Sequence, residues 1–181
     1  MRFKRDEKMK EGHIQVYTGK GKGKTTAALG LAIRAAGRGM RVLIIQFMKN
    51  RPSGERNFLK DIDQIKVENY GTSDFISKDD IREEDRIEVK KALDRAKEAL
   101  GSKAWDVIIF DEINVVLDLG ILEVDEFIQF IDRNWDGDVE IVLTGRNAPK
   151  EIIDLAILVT EMKKIKHPYD QGIGPREGIE Y

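Results

Sequence analysis

The fold of this chain is decided by the stretch Thr18-Gly19-Lys20-Gly21-Lys22-Gly23-Lys24-Thr25-Thr26. A short apolar, β-branched run at 14–17 comes directly before it, and an apolar helical segment starting near Lys24 follows it. Glycines let backbone amides converge on an anion, and a helix N-terminus adds unpaired N–H groups and the positive end of its dipole. The stretch therefore predicts a phosphate-binding loop between a strand and a helix.

The side chains of this loop have separate predicted tasks. We expect Lys24 to reach phosphate oxygens and the Thr25 hydroxyl to be a Mg²⁺ ligand. The loop is a shortened variant, because Thr18 stands where the standard pattern has its first glycine. The alternative is a turn rich in glycine and lysine that binds no ligand, which the flanking strand and helix disfavour. The predicted nucleotide-binding residues of the loop are Gly19, Lys20, Gly21, Lys22, Gly23, Lys24, Thr25 and Thr26.

Two of these loop residues keep an open alternative. Lys20 and Lys22 either contact phosphate or are solvated charges on a loop, and the sequence favours neither reading.

A second apolar run, at 107–110, ends in the carboxylates Asp111 and Glu112. Such a strand delivers acids to the carboxyl edge of a sheet, beside the phosphate loop. Mg²⁺ prefers oxygen ligands and keeps much of its hydration, so we expect a carboxylate to hold it directly or through water. The predicted metal ligands are Thr25, Asp111 and Glu112. The alternative is that Asp111 only caps the following helix.

The apolar pattern along the chain predicts the architecture. Short runs at 14–17, 42–47, 107–110, 139–144 and 158–159 suit buried parallel strands. Stripes of apolar residues at helical spacing lie between them, including one on a charged helix that begins near Asp79. We expect an α/β fold, a three-layer P-loop NTPase (RecA-like) sandwich with a mostly parallel central sheet. The segments 70–78 and 163–181 are expected to be irregular.

Composition narrows the class of protein. The 181 residues include no cysteine and two histidines, which excludes thiolate metal sites and cysteine nucleophiles. A net charge of −2 gives no basic field for nucleic acid, and no apolar run approaches the roughly 20 residues that cross a membrane. We expect a cytoplasmic protein with no nucleic-acid or membrane partner. Residues 1–12 are expected to be a flexible arm and residues 13–181 a single catalytic domain.

Further blocks follow in a fixed order, at 46–49, 54–55, 111–114, 143–149, 154–156, 159–162, 167–169, 172–173 and 178–181. Together with the loop, they resemble the P-loop ATP:corrinoid adenosyltransferases, and the resemblance runs from residue 12 to residue 181. Residues 174–176 and the loop at 70–75, which has no tryptophan, differ from the family's pattern.

The resemblance implies that a Co(I) corrinoid, cob(I)alamin or a cobyrinic acid derivative, attacks the 5′ carbon of ATP and that triphosphate leaves. It also implies that the nucleotide lies in the loop in the reverse sense to ordinary P-loop ATPases. We expect Lys24 and Glu112 to be the catalytic residues, Mg²⁺ to be the cofactor, and an electron donor to supply Co(I). The N-terminal arms of relatives reach across a dimer, which makes a homodimer an expectation here.

Other residues are candidates for contact with the substrates. Arg146 follows the strand at 139–144 and is expected to contact nucleotide, although it could instead cap the next helix. Met48, Tyr70 and Phe75 are candidates for the corrinoid surface, or are ordinary half-buried side chains. His167 is expected to be a structural hydrogen-bonding group. The competing functions are a P-loop ATPase coupled to a partner, with Glu112 activating water, and a nucleotide sensor without turnover.

Overall fold

The computed structural model describes residues 11–49, 53–72, 78 and 80–179, and these form alternating strands and helices. The strands are β1 (Ile14–Thr18), β2 (Val42–Phe47), β3 (Ile65–Tyr70), β4 (Val107–Asp111), β5 (Glu140–Thr144) and β6 (Leu158–Glu161). The helices are α1 (Lys24–Ala36), α2 (Gly54–Leu59), α3 (Glu83–Gly101), α4 (Ile113–Asp118), α5 (Val124–Asn134) and α6 (Lys150–Leu155), and a 3₁₀ turn spans Pro168–Gln171.

The six strands form one sheet in the order β3-β2-β4-β5-β1-β6. Every described strand pair is parallel, so all carboxyl ends lie at one edge of the sheet. This edge receives the phosphate loop from β1 and the acids from β4, and β5 lies between those two strands. Ligands of open α/β sheets bind at such an edge.

Helices cover both faces of the sheet. On one face, α1 packs its small residues Ala28, Ala32 and Ala35 against Ile44 and Val142, so the helix approaches the strands closely. On the other face, α3, α4, α5 and α6 cover a larger core that includes a run of contacting aromatic rings. The predicted three-layer α/β fold of the P-loop NTPase type is thereby confirmed, and its sheet is parallel throughout the described strands.

The structure contains one strand, β3, that is not among the five predicted from the sequence. Its sequence alternates polar and apolar residues, and only Ile65 is fully buried. It lies at the edge of the sheet and pairs with β2 alone. Its residues are therefore partly exposed, and it lacks the continuous apolar run of a central parallel strand. The strand at 139–144 also begins one residue later than expected, at Glu140, and β6 extends to Glu161.

The start of α3 is also corrected by the structure. The helix begins at Glu83 instead of near Asp79, because Arg82 is its N-cap. The buried Asp85 carboxylate accepts hydrogen bonds from the Arg82 backbone N–H and from the Thr72 hydroxyl, which fixes this end of the helix.

Within the described ranges, no helix is both long enough and apolar enough to cross a membrane. Residues 162–179, the described part of the tail after β6, are irregular as expected, apart from one 3₁₀ turn.

Candidate active site

The phosphate loop is held from beneath by the backbone that follows β6. The Gly21 N–H donates to the Met162 carbonyl over 2.6 Å. A Cβ at position 21 would lie 2.6 Å from that same oxygen, so only glycine fits there. Gly23, the N-cap of α1, has a φ of 120°, a backbone conformation that residues with a side chain rarely adopt. The loop's shape therefore depends on its glycines, and the segment after β6 is part of its support.

The loop lysine, Lys24, is folded over its own loop. Its ammonium donates to the carbonyls of Gly19 and Gly21, over 2.8 Å in each case. Partial burial lowers the pKa of Lys24, opposed by the charges of Glu112 and Asp111, while Arg146 lowers it further. The ammonium thus lies at the centre of the loop, with both predicted acids close enough to act on it.

Asp111 is the most heavily hydrogen-bonded side chain of the site. Its Oδ1 accepts from the hydroxyls of Thr25, over 2.8 Å, and Thr144, over 2.7 Å. Its Oδ2 accepts from Gln46 Nε2, over 2.9 Å, and from Lys49 Nζ, over 2.7 Å. The side chain is 1% exposed. Four donors from four chain segments therefore surround this one carboxylate.

These contacts decide the charge state of Asp111. Burial by itself raises the pKa of the carboxyl, but the Lys49 ammonium and the hydrogen bonds of Lys49, Thr144 and Gln46 lower it below its usual range. The negative charge is compensated inside the protein, so Asp111 stays ionised.

Glu112 has a different environment from its neighbour. Its backbone is left-handed, with a φ of 68°, and its N–H donates to the Thr144 hydroxyl over 2.9 Å. A non-glycine residue in this conformation costs about 1–3 kcal/mol and is frequent at functional sites. Burial and the Asp111 charge raise the pKa of Glu112, opposed by Lys49, Lys24 and Arg146. In the described part of the chain its carboxylate accepts no hydrogen bond, and it lines the cavity described next.

A cavity of about 450 Å³ lies where the loop, the acids and the tail meet. This volume falls within the range of small-molecule sites, about 300–1,000 Å³. Its lining residues are Lys22, Gly23, Lys24, Thr25, Thr26, Leu29, Lys49, Gly54, Glu55, Glu112, Gly178 and Ile179. The cavity wall combines the cations Lys22, Lys24 and Lys49 with the apolar side chains of Leu29 and Ile179, a composition suited to a ligand that has both anionic and uncharged parts.

The predicted loop residues differ in how they meet this cavity. Lys22 lines it and donates to the Ile179 carbonyl over 2.7 Å, which joins the tail to the loop. Lys20 is exposed and is not among the lining residues. Arg146 is exposed beside the cavity, close enough to Lys24 and Glu112 to affect their pKa values.

Neither of the two capping alternatives is supported by the structure. The N-cap of α4 is Glu112, and the Asp111 side chain bonds other segments instead of that helix. The N-cap of α6 is Pro149, and no side chain caps that helix, so Arg146 does not do so.

Three residues of the site were not singled out as functional from the sequence. Gln46, Lys49 and Thr144 all bond Asp111, and Lys49 lines the cavity. A signal for the first two existed, because Gln46 is a polar residue near the carboxyl end of the buried strand β2 and Lys49 follows that strand. Their partner was not predictable without the order of the strands.

The corrinoid candidates Met48 and Tyr70 lie together. Both border a small depression with Gly71, Val89 and Ile121, next to the carboxyl ends of β2 and β3. Phe75 lies outside the described residues. His167 Nδ1 accepts a hydrogen bond from the Tyr169 N–H and caps the 3₁₀ turn, which is the structural role expected of it.

A metal ion at this site would depend on the ligand for some of its oxygens. Among the described residues, no cluster of three or more His, Cys, Asp or Glu side chains could hold a metal. Mg²⁺ sites commonly use one or two carboxylates plus substrate phosphates, and the oxygens of Thr25 and Glu112 fit that donor set. The two Asp111 oxygens are already occupied by four donors.

Comparison with known proteins finds a matching family and several similar chains. A model described as ATP:corrinoid adenosyltransferase BtuR/CobO/CobP matches residues 10–181. The chain is 37% identical to a corrinoid adenosyltransferase of Sinorhizobium sp. over 186 residues, covering all of this chain and 84% of that protein. It is 34% identical over 171 residues to a corrinoid adenosyltransferase of Escherichia coli (strain K12), covering 94% and 86% of the two chains.

A further relative is longer than this chain. An uncharacterized protein of Nostoc sp. is 38% identical over 174 residues, which cover 87% of this chain and 45% of the Nostoc protein.

Proposed function

Because the chain belongs to the ATP:corrinoid adenosyltransferase family, we propose that it transfers the 5′-deoxyadenosyl group of ATP to the Co(I) of a corrinoid. The electron pair of Co(I) forms the bond to C5′, the C5′–O bond breaks, and triphosphate leaves with that bond's electron pair. The observation that carries the proposal is the cavity of about 450 Å³ in which the phosphate loop, Lys24 and Glu112 meet.

The first task of the protein in this reaction is placement. The loop amides and Lys24 hold the triphosphate, which fixes the ribose carbon at the outer part of the cavity. Correct placement removes on the order of 7–11 kcal/mol from a bimolecular barrier. In the proposed orientation, the nucleotide lies in the loop in the reverse sense to ordinary P-loop ATPases, so C5′ faces the corrinoid.

The second task is to stabilise the charge that grows on the leaving triphosphate. Lys24 and the N-terminus of α1 are fixed before the ligand arrives, since hydrogen bonds already hold the loop. Fixed donors and cations in a partly enclosed site stabilise developing charge strongly. The direct attack of Co(I) on carbon requires no general base, so Glu112 is proposed to act by binding Mg²⁺ instead of by accepting a proton.

Mg²⁺ is the proposed cofactor, which Thr25 and Glu112 would hold, while Asp111 would act on it through the hydrogen bond that it accepts from the Thr25 hydroxyl. When bound, it neutralises part of the triphosphate charge. The strained backbone of Glu112 and its carboxylate, which accepts no hydrogen bond from the residues that the structure describes, support this assignment. The rest of the proposed nucleotide-binding set is Gly19, Lys20, Gly21, Lys22, Gly23, Thr26 and Arg146. Of these, Lys22, Gly23 and Thr26 line the cavity, whereas Gly19, Lys20, Gly21 and Arg146 do not.

The corrinoid is proposed to lie over the surface that includes Met48 and Tyr70, beside the carboxyl ends of β2 and β3, since the depression of about 10 Å³ between them is too small to enclose it. Phe75 is proposed to act near the lower face of cobalt. Partners of the reaction are an electron donor that supplies Co(I) and a second copy of this chain in a homodimer. We also propose that residues 13–181 form one catalytic domain, that residues 1–12 are an arm, and that the protein acts in the cytoplasm.

Anaerobic incubation with ATP, Mg²⁺ and chemically reduced cob(I)alamin tests the function. We expect the visible spectrum of an alkylcobalt product and an equal amount of triphosphate. ADP and phosphate without alkylcobalt would instead assign the chain to hydrolysis, the competing reading that the family match disfavours. Light scattering tests the homodimer, and a monomeric mass removes that part of the proposal.

A further inference from the structure

We infer that Lys49 is a triphosphate-binding residue of this site and that Asp111 serves to position it. This inference deepens the proposed adenosyl transfer and rests on it, because triphosphate is the leaving group of that reaction. Three features of Lys49 support this role, namely its place in the cavity wall, its hydrogen-bond partner and its remaining donors.

The position of Lys49 is at the cavity, although its partner is in the core. Its side chain is 31% exposed, whereas the Asp111 side chain is 1% exposed. Lys49 lines the cavity together with Lys24, Thr25 and Glu112. The ammonium therefore stands at the boundary between a buried carboxylate and the space where an anion binds.

The same carboxylate places Lys49 beside the phosphate loop. Asp111 binds the Lys49 ammonium with Oδ2 and the Thr25 hydroxyl with Oδ1, over 2.7 and 2.8 Å. The two groups are thus held at opposite oxygens of one fixed carboxylate. Because Thr25 belongs to the phosphate loop, an anion in that loop lies close to Lys49.

Lys49 also keeps donors for a ligand. An ammonium has three N–H donors, and the described contacts of Lys49 Nζ use Asp111 alone. A counterion for Asp111 needs only that one contact. A purely structural role would not require Lys49 to line the cavity. Two further N–H groups at the cavity wall suit an anion with several oxygens. The charge that develops on the triphosphate as the C5′–O bond breaks would then be stabilised by Lys49 as well as Lys24.

Binding of inorganic tripolyphosphate, measured calorimetrically in the presence of EDTA, tests this without corrinoid or turnover. We expect Lys49→Met to raise the dissociation constant at least about tenfold, which is the usual loss for one hydrogen bond to a charged group. Lys49→Arg, which keeps the charge, should retain most of the affinity. The matched control is Lys66→Met, which removes an ion-paired lysine at the start of β3, away from the carboxyl edge.

A folded Lys49→Met protein with the tripolyphosphate affinity of the parent overturns the inference and leaves Lys49 as a counterion for Asp111. If that variant does not fold, Lys49→Gln carries the same comparison, because its amide can still donate to Asp111 without a charge. Parallel turnover assays separate the two hypotheses. If the parent releases ADP instead of triphosphate, the proposed function fails, while the effect of Lys49 on anion binding is still measured.

Discussion

The Thr25 hydroxyl donates a hydrogen bond to Asp111 Oδ1 over 2.8 Å, although 86 residues separate the two in the chain. The bond joins the phosphate loop to the strand that carries the acids. Since Asp111 is buried and also bonds Gln46 and Thr144, the loop is anchored to the centre of the sheet. The anion site is therefore organised before a nucleotide enters it.

Lys24→Ala is expected to lower the rate of adenosyl transfer at least about a hundredfold, because it removes a fixed cation from the leaving triphosphate. It also frees the two loop carbonyls that the ammonium now binds. Initial rates of alkylcobalt formation measure the effect. The control is Lys90→Ala, which removes an exposed lysine from α3 and should leave the rate unchanged. Equal rates in the two variants would show that Lys24 has no catalytic part.

Thr144→Val is expected to reduce the free energy of unfolding by about 1–3 kcal/mol, because it removes both a donor to Asp111 and the acceptor of the Glu112 N–H. Urea unfolding measures this loss, and ATP affinity should fall with it. Thr160→Val, in the exposed strand β6, makes the same chemical change outside the site. The idea is contradicted if the two variants lose the same amount of stability.

Tyr70→Phe tests a pH dependence of stability. The Tyr70 hydroxyl donates to Glu68 Oε2 over 3.0 Å, and burial together with Glu68 raises the pKa of Tyr70 to about 12. Because the folded pKa exceeds the ordinary value of about 10, the stabilising effect is complete below the ordinary value. It is lost as the pH rises from there towards about 12. The difference in unfolding free energy between the parent and Tyr70→Phe should therefore shrink over this interval.

The measurement for Tyr70 is urea unfolding on both sides of the ordinary tyrosine pKa. Tyr169→Phe is the control, since the Tyr169 side chain is 78% exposed and its removal should not alter stability at either pH. A difference between the parent and Tyr70→Phe that stays constant with pH argues against the bond to Glu68.

A chain that ends at Glu177 is expected to bind ATP more weakly. Ile179 lines the cavity, and its carbonyl accepts a hydrogen bond from Lys22, so the truncation removes part of the cavity wall. Thermal stability should change little, because the Ile179 side chain is 56% exposed. Lys164→Ala breaks an ion pair with Asp170 in the same tail and is the control. If truncation leaves the ATP dissociation constant unchanged, the tail does not contribute to the nucleotide site.

Much of the fold could be predicted because its signals are local. Glycine spacing predicts the conformation of the loop at 18–26. Continuous apolar residues predict the strands at 42–47 and 107–110. The edge strand β3 gives no such signal, because its residues are partly exposed. The N-terminus of α3 was misplaced because the buried Asp85 binds Thr72 in the preceding loop, and no rule of residue spacing reveals that contact.

The site was predicted where one segment supplies the group, and missed where two segments must meet. Lys24, Thr25, Asp111 and Glu112 are each marked by their own motif. Lys49 reaches Asp111 because β2 lies beside β4, where Gln46 is paired with Asp111 in register. Thr144 reaches Asp111 because β5 lies on the other side of β4. The order of the strands is a property of the whole sheet, so composition and periodicity do not contain it.

The convergence on Asp111 makes the anion site depend on the topology of the whole sheet. Its four donors lie 33 to 86 residues away along the chain, on α1, β2, the loop after β2, and β5. Contacts of such long sequence separation close large loops and form slowly. A partly folded intermediate that lacks any one of these segments has an incomplete anion site. A ligand that binds only the complete anion site therefore stabilises the native topology relative to any state in which one of these segments is out of place.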